Sequence, residues 1–90
     1  MGTLDPRTLQ ATVVRLIAER APARVAAANI TNAMSLFEGG LGFDSLVLLE
    51  VVTAVEDATG IALGEDDLTP DVLANVGTLV SLFVRRGGAR

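Results

Sequence analysis

The stretch GLGFDSLVLLE, residues 40–50, joins a glycine-containing segment to an apolar run with helical spacing. Asp44 and Ser45 lie at the junction, where a short polar side chain can accept a hydrogen bond from a free N–H group of the first helical turn. The same place presents a hydroxyl beside N–H groups that favour an anion. Ser45 is therefore a candidate for a helix cap, a nucleophile or an attachment site.

The helix that begins at Ser45 is predicted to be amphipathic and to end at Gly60, since glycine suits a helix C-terminus. At about 100° per residue, one side forms an apolar stripe that faces the core: Leu48, Val51, Val52 and Val55. The opposite side is polar and acidic: Glu50, Thr53 and Asp57, with Glu56 at its edge. Leu46 and, less fully, Leu49 fall on this acidic side. They are either ordinary exposed leucines or a docking spot for a partner helix or groove.

Two more helices are predicted from capping residues and apolar spacing. Asp5 and Pro6 begin the first helix, which runs to about Arg20. A connection of about twenty residues follows, in which the alanine run 26–28 is a candidate for one helical turn. Its apolar anchors are Val25, Ile30, Met34, Leu36 and Phe37. Thr69 and Pro70 predict a piece of about one turn.

Asn75 is predicted to cap the last helix. The apolar positions of this helix recur at i, i+3, i+4 and i+7: Val76, Leu79, Val80 and Phe83. Arg85 and Arg86 follow at its C-terminus, where the helix dipole favours cations. The expected fold is all-α, a small bundle of three main helices plus one short helix with a long first loop. We expect a single domain over residues 1–90, with a core of about 6–86 and frayed tails. The C-terminal tail is expected to begin at Gly87.

The residue types that are missing exclude most enzyme classes. The chain of 90 residues has no Cys, His, Tyr or Trp, and no Lys. Thiolate nucleophiles, Schiff-base amines and imidazole ligands are therefore absent, and no histidine can take the proton of a serine nucleophile. We predict no catalytic residues and no metal site. Glu65, Asp66 and Asp67 lack the ligand spacing of an EF-hand and are interpreted as a solvated acidic turn.

Charge is segregated along the chain, whose net charge is −4. No basic residue occurs from Leu36 to Val84, where the acidic residues are Glu38, Asp44, Glu50, Glu56, Asp57, Glu65, Asp66, Asp67 and Asp71. Such a field repels nucleic acid and anionic lipid and attracts partners with basic patches. A plainer interpretation is that these residues keep a small apolar domain soluble. With no signal-peptide core and no apolar run long enough to span a bilayer, a cytoplasmic protein without nucleic-acid or membrane contacts is expected.

The sequence resembles the acyl carrier protein family. The motif Gly42-Phe43-Asp44-Ser45-Leu46 is similar to the family's Gly-x-Asp-Ser-Leu, and the likeness extends from about Leu9 to Arg86, with Ser35-Leu36-Phe37 ahead of the motif. The resemblance implies that a phosphopantetheinyl transferase, using coenzyme A and magnesium, attaches a 4′-phosphopantetheine arm to Ser45. It also implies a carrier and not an enzyme, because acyl groups are held as thioesters on the thiol of the arm.

The resemblance also implies which residues partner enzymes recognise: Asp44, Leu46, Leu49, Glu50, Glu56 and Asp57. Thr53 stands where the family usually has a methionine, so a different set of enzymes is expected to recognise this surface. The expected partners are the transferase and acyl-loading, condensing and tailoring enzymes with basic patches. Arginine without lysine suggests a GC-rich genome, which favours polyketide or related specialised metabolism. A free-standing monomer is expected.

Two other functions fit the sequence. A peptidyl or aminoacyl carrier of nonribosomal peptide synthesis shares the arm, but such carriers usually have a Gly-Gly pair where this chain has Gly42 and Phe43. A small acidic adaptor that docks helices and carries no cofactor is the alternative from another class.

Overall fold

The fold is described for residues 5–88 by a computed structural model, and it contains three α-helices. Helix α1 spans Pro6–Arg20, α2 spans Ser45–Thr59 and α3 spans Val76–Phe83. Short 3-10 turns cover Ala27–Asn29 and Glu65–Asp67, and a π-helical turn, Val84–Gly88, continues α3. No strand occurs within these residues, and none of their helices is long and apolar enough to cross a membrane. The predicted all-α fold is confirmed.

The helix starts follow the predicted caps. The Asp5 carboxylate accepts a hydrogen bond of 2.8 Å from the Thr8 N–H at the start of α1. At α3 the Asn75 side chain accepts from the Thr78 N–H at 2.9 Å, while the Thr78 hydroxyl accepts from the Asn75 N–H at 3.2 Å. Helix α2 ends at Gly60, whose φ of 75° is in the left-handed region that glycine adopts without strain.

One apolar core lies between the three helices. The four residues of the predicted α2 stripe are all buried, and so are the four apolar positions predicted for α3. On α1 the spacing of Leu9, Val13, Leu16 and Ile17 is helical, and all four are buried. Among the largest fully buried side chains are Leu9, Ile17, Leu36, Leu41, Leu48, Leu79 and Phe83. Removing this much apolar surface from water is the main term that stabilises so small a domain.

The long first loop is fixed by backbone hydrogen bonds to the segment that enters α3. The Leu36 N–H donates to the Ala74 carbonyl at 3.2 Å, and the Val76 N–H donates to the Met34 carbonyl at 3.0 Å. The predicted anchors of the loop all pack on the core, and the alanine run contributes one 3-10 turn. The loop is therefore an ordered part of the fold that connects α1 to α2 across the end of α3.

The predicted short helix after Thr69 is a single hydrogen-bonded turn, closed by a bond of 3.0 Å from the Leu73 N–H to the Thr69 carbonyl. It does not continue into α3, because the two groups that would bond across the junction, the Val72 carbonyl and the Val76 N–H, have other partners. The Val72 carbonyl accepts from the Thr78 hydroxyl at 2.7 Å, and the Val76 N–H, which would extend the helix, donates instead to Met34.

The C-terminal turn packs against the loop that follows α2. A Cβ atom added at Gly87 would lie 2.1 Å from Ile61 Cδ1, so only glycine allows this approach. Arg86 forms an ion pair with Asp67. The expectation that the tail frays from Gly87 is therefore wrong for that residue, and Asp67 is not simply a solvated acid. Residues 1–4 and 89–90, also expected to be frayed, lie outside the described residues.

This attachment of the C-terminal turn is expected to depend on pH. The Arg86 guanidinium and a hydrogen bond from the Gly64 N–H lower the pKa of the Asp67 carboxyl. A carboxyl whose pKa is lower in the folded state stabilises that state above its unfolded-state pKa and loses this effect as pH falls through the folded value. We therefore expect the turn to stay attached at neutral pH and to loosen only in strong acid.

An NMR acid titration of the Gly64 amide measures this prediction. Its midpoint is expected below the usual aspartate value of about 3.9. Asp67→Asn should loosen the contact between Gly87 and Ile61 at neutral pH, whereas Asp66→Asn, a neighbouring control, should not. A midpoint at or above the usual value would contradict the assignment.

Candidate functional site

Ser45 is the first residue of α2, and its side chain is exposed. The cap of this helix is Asp44, whose Oδ1 atom accepts a hydrogen bond of 2.8 Å from the Val47 N–H. The Ser45 hydroxyl forms no hydrogen bond with the residues that the structure describes. Since Asp44 carries out the capping, the hydroxyl of Ser45 remains available to a reagent that approaches from solvent.

The chain that leads to Ser45 is held by two buried residues that the sequence-based prediction did not include. Leu41 and Phe43 are 0% and 3% exposed. Their N–H groups donate to the carbonyls of Ser35 and Leu36, both at 2.9 Å. Their apolar side chains between Gly40 and Gly42 are the signal that could have revealed them, because large apolar residues next to a predicted helix start tend to be buried. Ser45 thus lies two residues after Phe43, whose side chain is held in the core.

Glycine is needed in this segment because the backbone turns tightly against itself. Gly42 has a φ of 80°, in the left-handed region. Gly40 lies so close to the preceding loop that an added Cβ atom would be 2.2 Å from the Ser35 carbonyl oxygen. Both features place the start of α2 against the core.

We expect Gly40→Ala to destabilise the domain by about 1–3 kcal/mol, since the new methyl group meets backbone atoms that cannot rotate away. Thermal unfolding measures the change. Gly64→Ala is the matched control, because a Cβ atom there would be 3.7 Å from the Asp67 carboxylate, an ordinary contact. Equal losses in the two variants would show that backbone crowding at Gly40 is not the cause.

The exposed side of α2 next to Ser45 combines two leucines with carboxylates. Leu46 is 69% exposed and Leu49 is 44% exposed, and they are the large hydrophobic residues left in water within residues 5–88. We call this surface the α2 outer face, and it consists of Asp44, Leu46, Leu49, Glu50, Thr53 and Asp57. Apolar side chains framed by charge at one helix end are typical of a docking surface.

Glu56, which the family resemblance includes among the residues that partners recognise, has a different environment from the α2 outer face. It is half-buried, and its Oε2 atom accepts a hydrogen bond of 2.7 Å from the Leu63 N–H. The carboxylate therefore helps to hold the loop after α2 against the helix. It lies at the edge of the α2 outer face, as the helical wheel predicted, and its other oxygen forms no hydrogen bond with the described residues.

The α2 outer face is an uncompensated negative surface. Within residues 5–88, the acids in ion pairs are Glu19 and Asp67. The carboxylates near Ser45 thus attract cationic partners and give little to the stability of the fold. No group of three or more potential ligands among the described residues could hold a metal ion. The chain contains no histidine imidazole and no lysine amine that could take the proton of Ser45.

A small helical bundle that presents one available serine at the start of an acidic amphipathic helix is suited to bearing a covalently attached group. The sequence from residue 11 to residue 83 matches the model of the family described as phosphopantetheine attachment site. Because the match covers most of the chain, the protein belongs to this family and is a carrier that bears 4′-phosphopantetheine covalently. No curated protein matches the chain.

This membership confirms the resemblance stated from the sequence, the fold class and the cofactor. A carrier of this family interacts with the enzymes that modify it and with biosynthetic enzymes. The arm fits the geometry, since attachment needs an accessible hydroxyl and the N-terminus of a long helix favours the negative charge of the phosphodiester. When bound, the arm supplies the thiol that this cysteine-free chain lacks.

Proposed function

We propose that this protein is an acyl carrier protein that holds acyl intermediates as thioesters on an arm attached to Ser45. The observation that carries this proposal is the unused hydroxyl of Ser45 beside an exposed docking surface. Asp44 caps the helix in its place, so modification of Ser45 leaves the start of α2 intact. The chain acts as a single carrier domain over residues 1–90 and as a substrate of other enzymes, without catalysis of its own.

The acyl type is favoured over the peptidyl type by Phe43. This residue occupies the place where peptidyl carriers usually have a second glycine, and its ring is buried in the core. The negative α2 outer face further supports partners with basic patches, including the transferase and acyl-loading, condensing and tailoring enzymes. Polyketide or related specialised metabolism in the cytoplasm remains the pathway that we propose, with the carrier acting as a monomer.

The proposed recognition set is Asp44, Leu46, Leu49, Glu50, Glu56 and Asp57. Five of these residues are exposed along α2, from its cap at Asp44 to its last turn at Asp57, and Glu56 offers its free carboxylate oxygen at the edge. A cationic partner that binds these residues would place its own base beside the Ser45 hydroxyl. The hydroxyl oxygen would then attack the phosphorus of coenzyme A that bears the pantetheine arm, and the adenosine bisphosphate part would leave as the proton passes to that base.

Intact-mass measurement tests the carrier function. The unmodified protein is incubated with coenzyme A, magnesium and a broad-specificity phosphopantetheinyl transferase, and it is expected to gain the mass of one arm. No gain would overturn the proposal and favour the adaptor. Charging the modified carrier with malonyl-transferring or amino-acid-activating enzymes then separates the acyl from the peptidyl type, and loading of amino acids alone would favour the latter.

A further inference from the structure

A second apolar surface lies between α1 and the turn Ala27–Asn29. We call it the α1 groove. It is an open depression of about 410 Å³, and its lining residues are Arg7, Gln10, Ala11, Val14, Ala27, Ala28 and Ile30. Val14 and Ile30 are half-buried and the alanines are exposed, so aliphatic surface is in contact with water. Nothing in the attachment of an arm to Ser45 makes use of this groove.

The α1 groove has a cation at the N-terminal end of α1. Residues 5–35 contain four arginines and two acids, and both acids are engaged. Asp5 caps α1, and Glu19 pairs with Arg15 and Arg20 at 3.3 Å and 3.5 Å. Arg7 has no ion pair within residues 5–88, so its guanidinium is available to a carboxylate that enters with an apolar group.

The α2 outer face has the features that complement this groove. Leu46 and Leu49 are exposed about one helical turn apart, and a volume of about 410 Å³ accommodates two leucine side chains. Glu50 follows Leu49 directly and lies one turn after Leu46, so it accompanies both leucines. Apolar side chains would meet the alanines and Val14, and the Glu50 carboxylate would meet Arg7.

We infer that the α1 groove receives the α2 outer face of a second copy of this chain. Helices α1 and α2 pack against each other within one molecule, so their outward sides face in different directions. The contact is therefore between molecules, and it pairs two different surfaces of the chain, so it forms with increasing concentration.

The association is weak by the size of the surfaces involved. Two leucines and one ion pair bury far less than the roughly 1,200 Å² of a stable protein interface. The monomer is thus the state at micromolar concentration, and contacts form toward millimolar concentration at low salt. Because the contact covers Leu46 next to Ser45, it competes with partner enzymes when the carrier is abundant. It does not depend on whether Ser45 is modified.

A dilution series of NMR spectra at low salt tests this inference on the full chain. Between micromolar and millimolar concentration, we expect amide shifts in two sets that move together, one around Leu46 and Leu49 and one around Ala11, Val14 and Ala28. Added salt should reduce them. Arg7→Glu and Glu50→Arg should each weaken the association at least about 10-fold, as a reversed charge at a close pair does.

Mixing the two variants is the decisive experiment. The Arg7→Glu groove and the Glu50→Arg face again have opposite charges, so the mixture should associate although each variant alone does not. Arg20→Glu changes the net charge equally outside the groove and serves as the control. Absence of concentration-dependent shifts, shifts that map to other surfaces, an equal effect of Arg20→Glu, or no recovery in the mixture would each overturn the inference.

Discussion

Replacing Ser45 with alanine is expected to abolish the gain of the phosphopantetheinyl mass completely. The reason is chemical, since the alanine side chain has no oxygen to bond to phosphorus. The variant should still fold, because Asp44 and not Ser45 accepts the capping hydrogen bond from the Val47 N–H. Alanine also has the highest helix propensity, and it replaces an exposed residue in the first turn of α2. Thermal unfolding near that of the wild type would separate lost chemistry from lost structure.

Ser81→Ala is the matched control for this experiment. Ser81 is an exposed serine on α3 and offers a hydroxyl to solvent on another side of the domain. We expect this variant to gain the arm as the wild type does. If Ser45→Ala gains the same mass, the attachment site lies elsewhere. If both variants lose it while remaining folded, general damage to recognition by the transferase, and not the Ser45 oxygen, is responsible.

The parts of the fold that sequence predicts well are those set by local chemistry. Asp5, Asn75 and Gly60 each act on backbone groups within one helical turn of themselves, so their residue types alone indicate where helices begin and end. The stripe of α2 is predicted for a similar reason, because spacing along one helix decides which side is apolar. The exposed positions of Leu46 and Leu49 follow from the same wheel.

What sequence does not predict depends on contacts between distant residues. The turn after Thr69 does not continue into α3, since the Val76 N–H donates to the Met34 carbonyl and the Val72 carbonyl accepts from Thr78, and Gly87 packs against Ile61. At the site, Asp44 and Ser45 are equally able to cap α2 by residue type. Only the structure shows that Asp44 is the cap, because its side chain accepts the hydrogen bond from the Val47 N–H. Glu56 also holds the loop after α2 by accepting a hydrogen bond from the Leu63 N–H. A helical wheel does not include this contact, because Leu63 lies outside the helix.

Leu46 and Leu48 form the sharpest matched pair in the chain. They have the same side chain on the same helix, but Leu46 is 69% exposed and Leu48 is 0% exposed. Leu48→Ala is expected to lower the free energy of unfolding by about 2–5 kcal/mol, because it removes buried methyl groups and leaves a cavity. This is a large share of the roughly 5–15 kcal/mol that stabilises a domain. Leu46→Ala should change it by less than about 0.5 kcal/mol, as surface substitutions do.

The order of effects should reverse when modification is measured. If Leu46 inserts into a pocket of the transferase, Leu46→Ala should slow attachment of the arm at least about 10-fold, the loss typical of a central interface residue. Leu48→Ala, tested at a temperature where it remains folded, should be modified at nearly the rate of the wild type, since its side chain never reaches a partner. A Leu46 variant that is destabilised like Leu48→Ala would place Leu46 in the core. A stable Leu46 variant that is modified at the full rate would show that partners recognise Ser45 through the carboxylates alone.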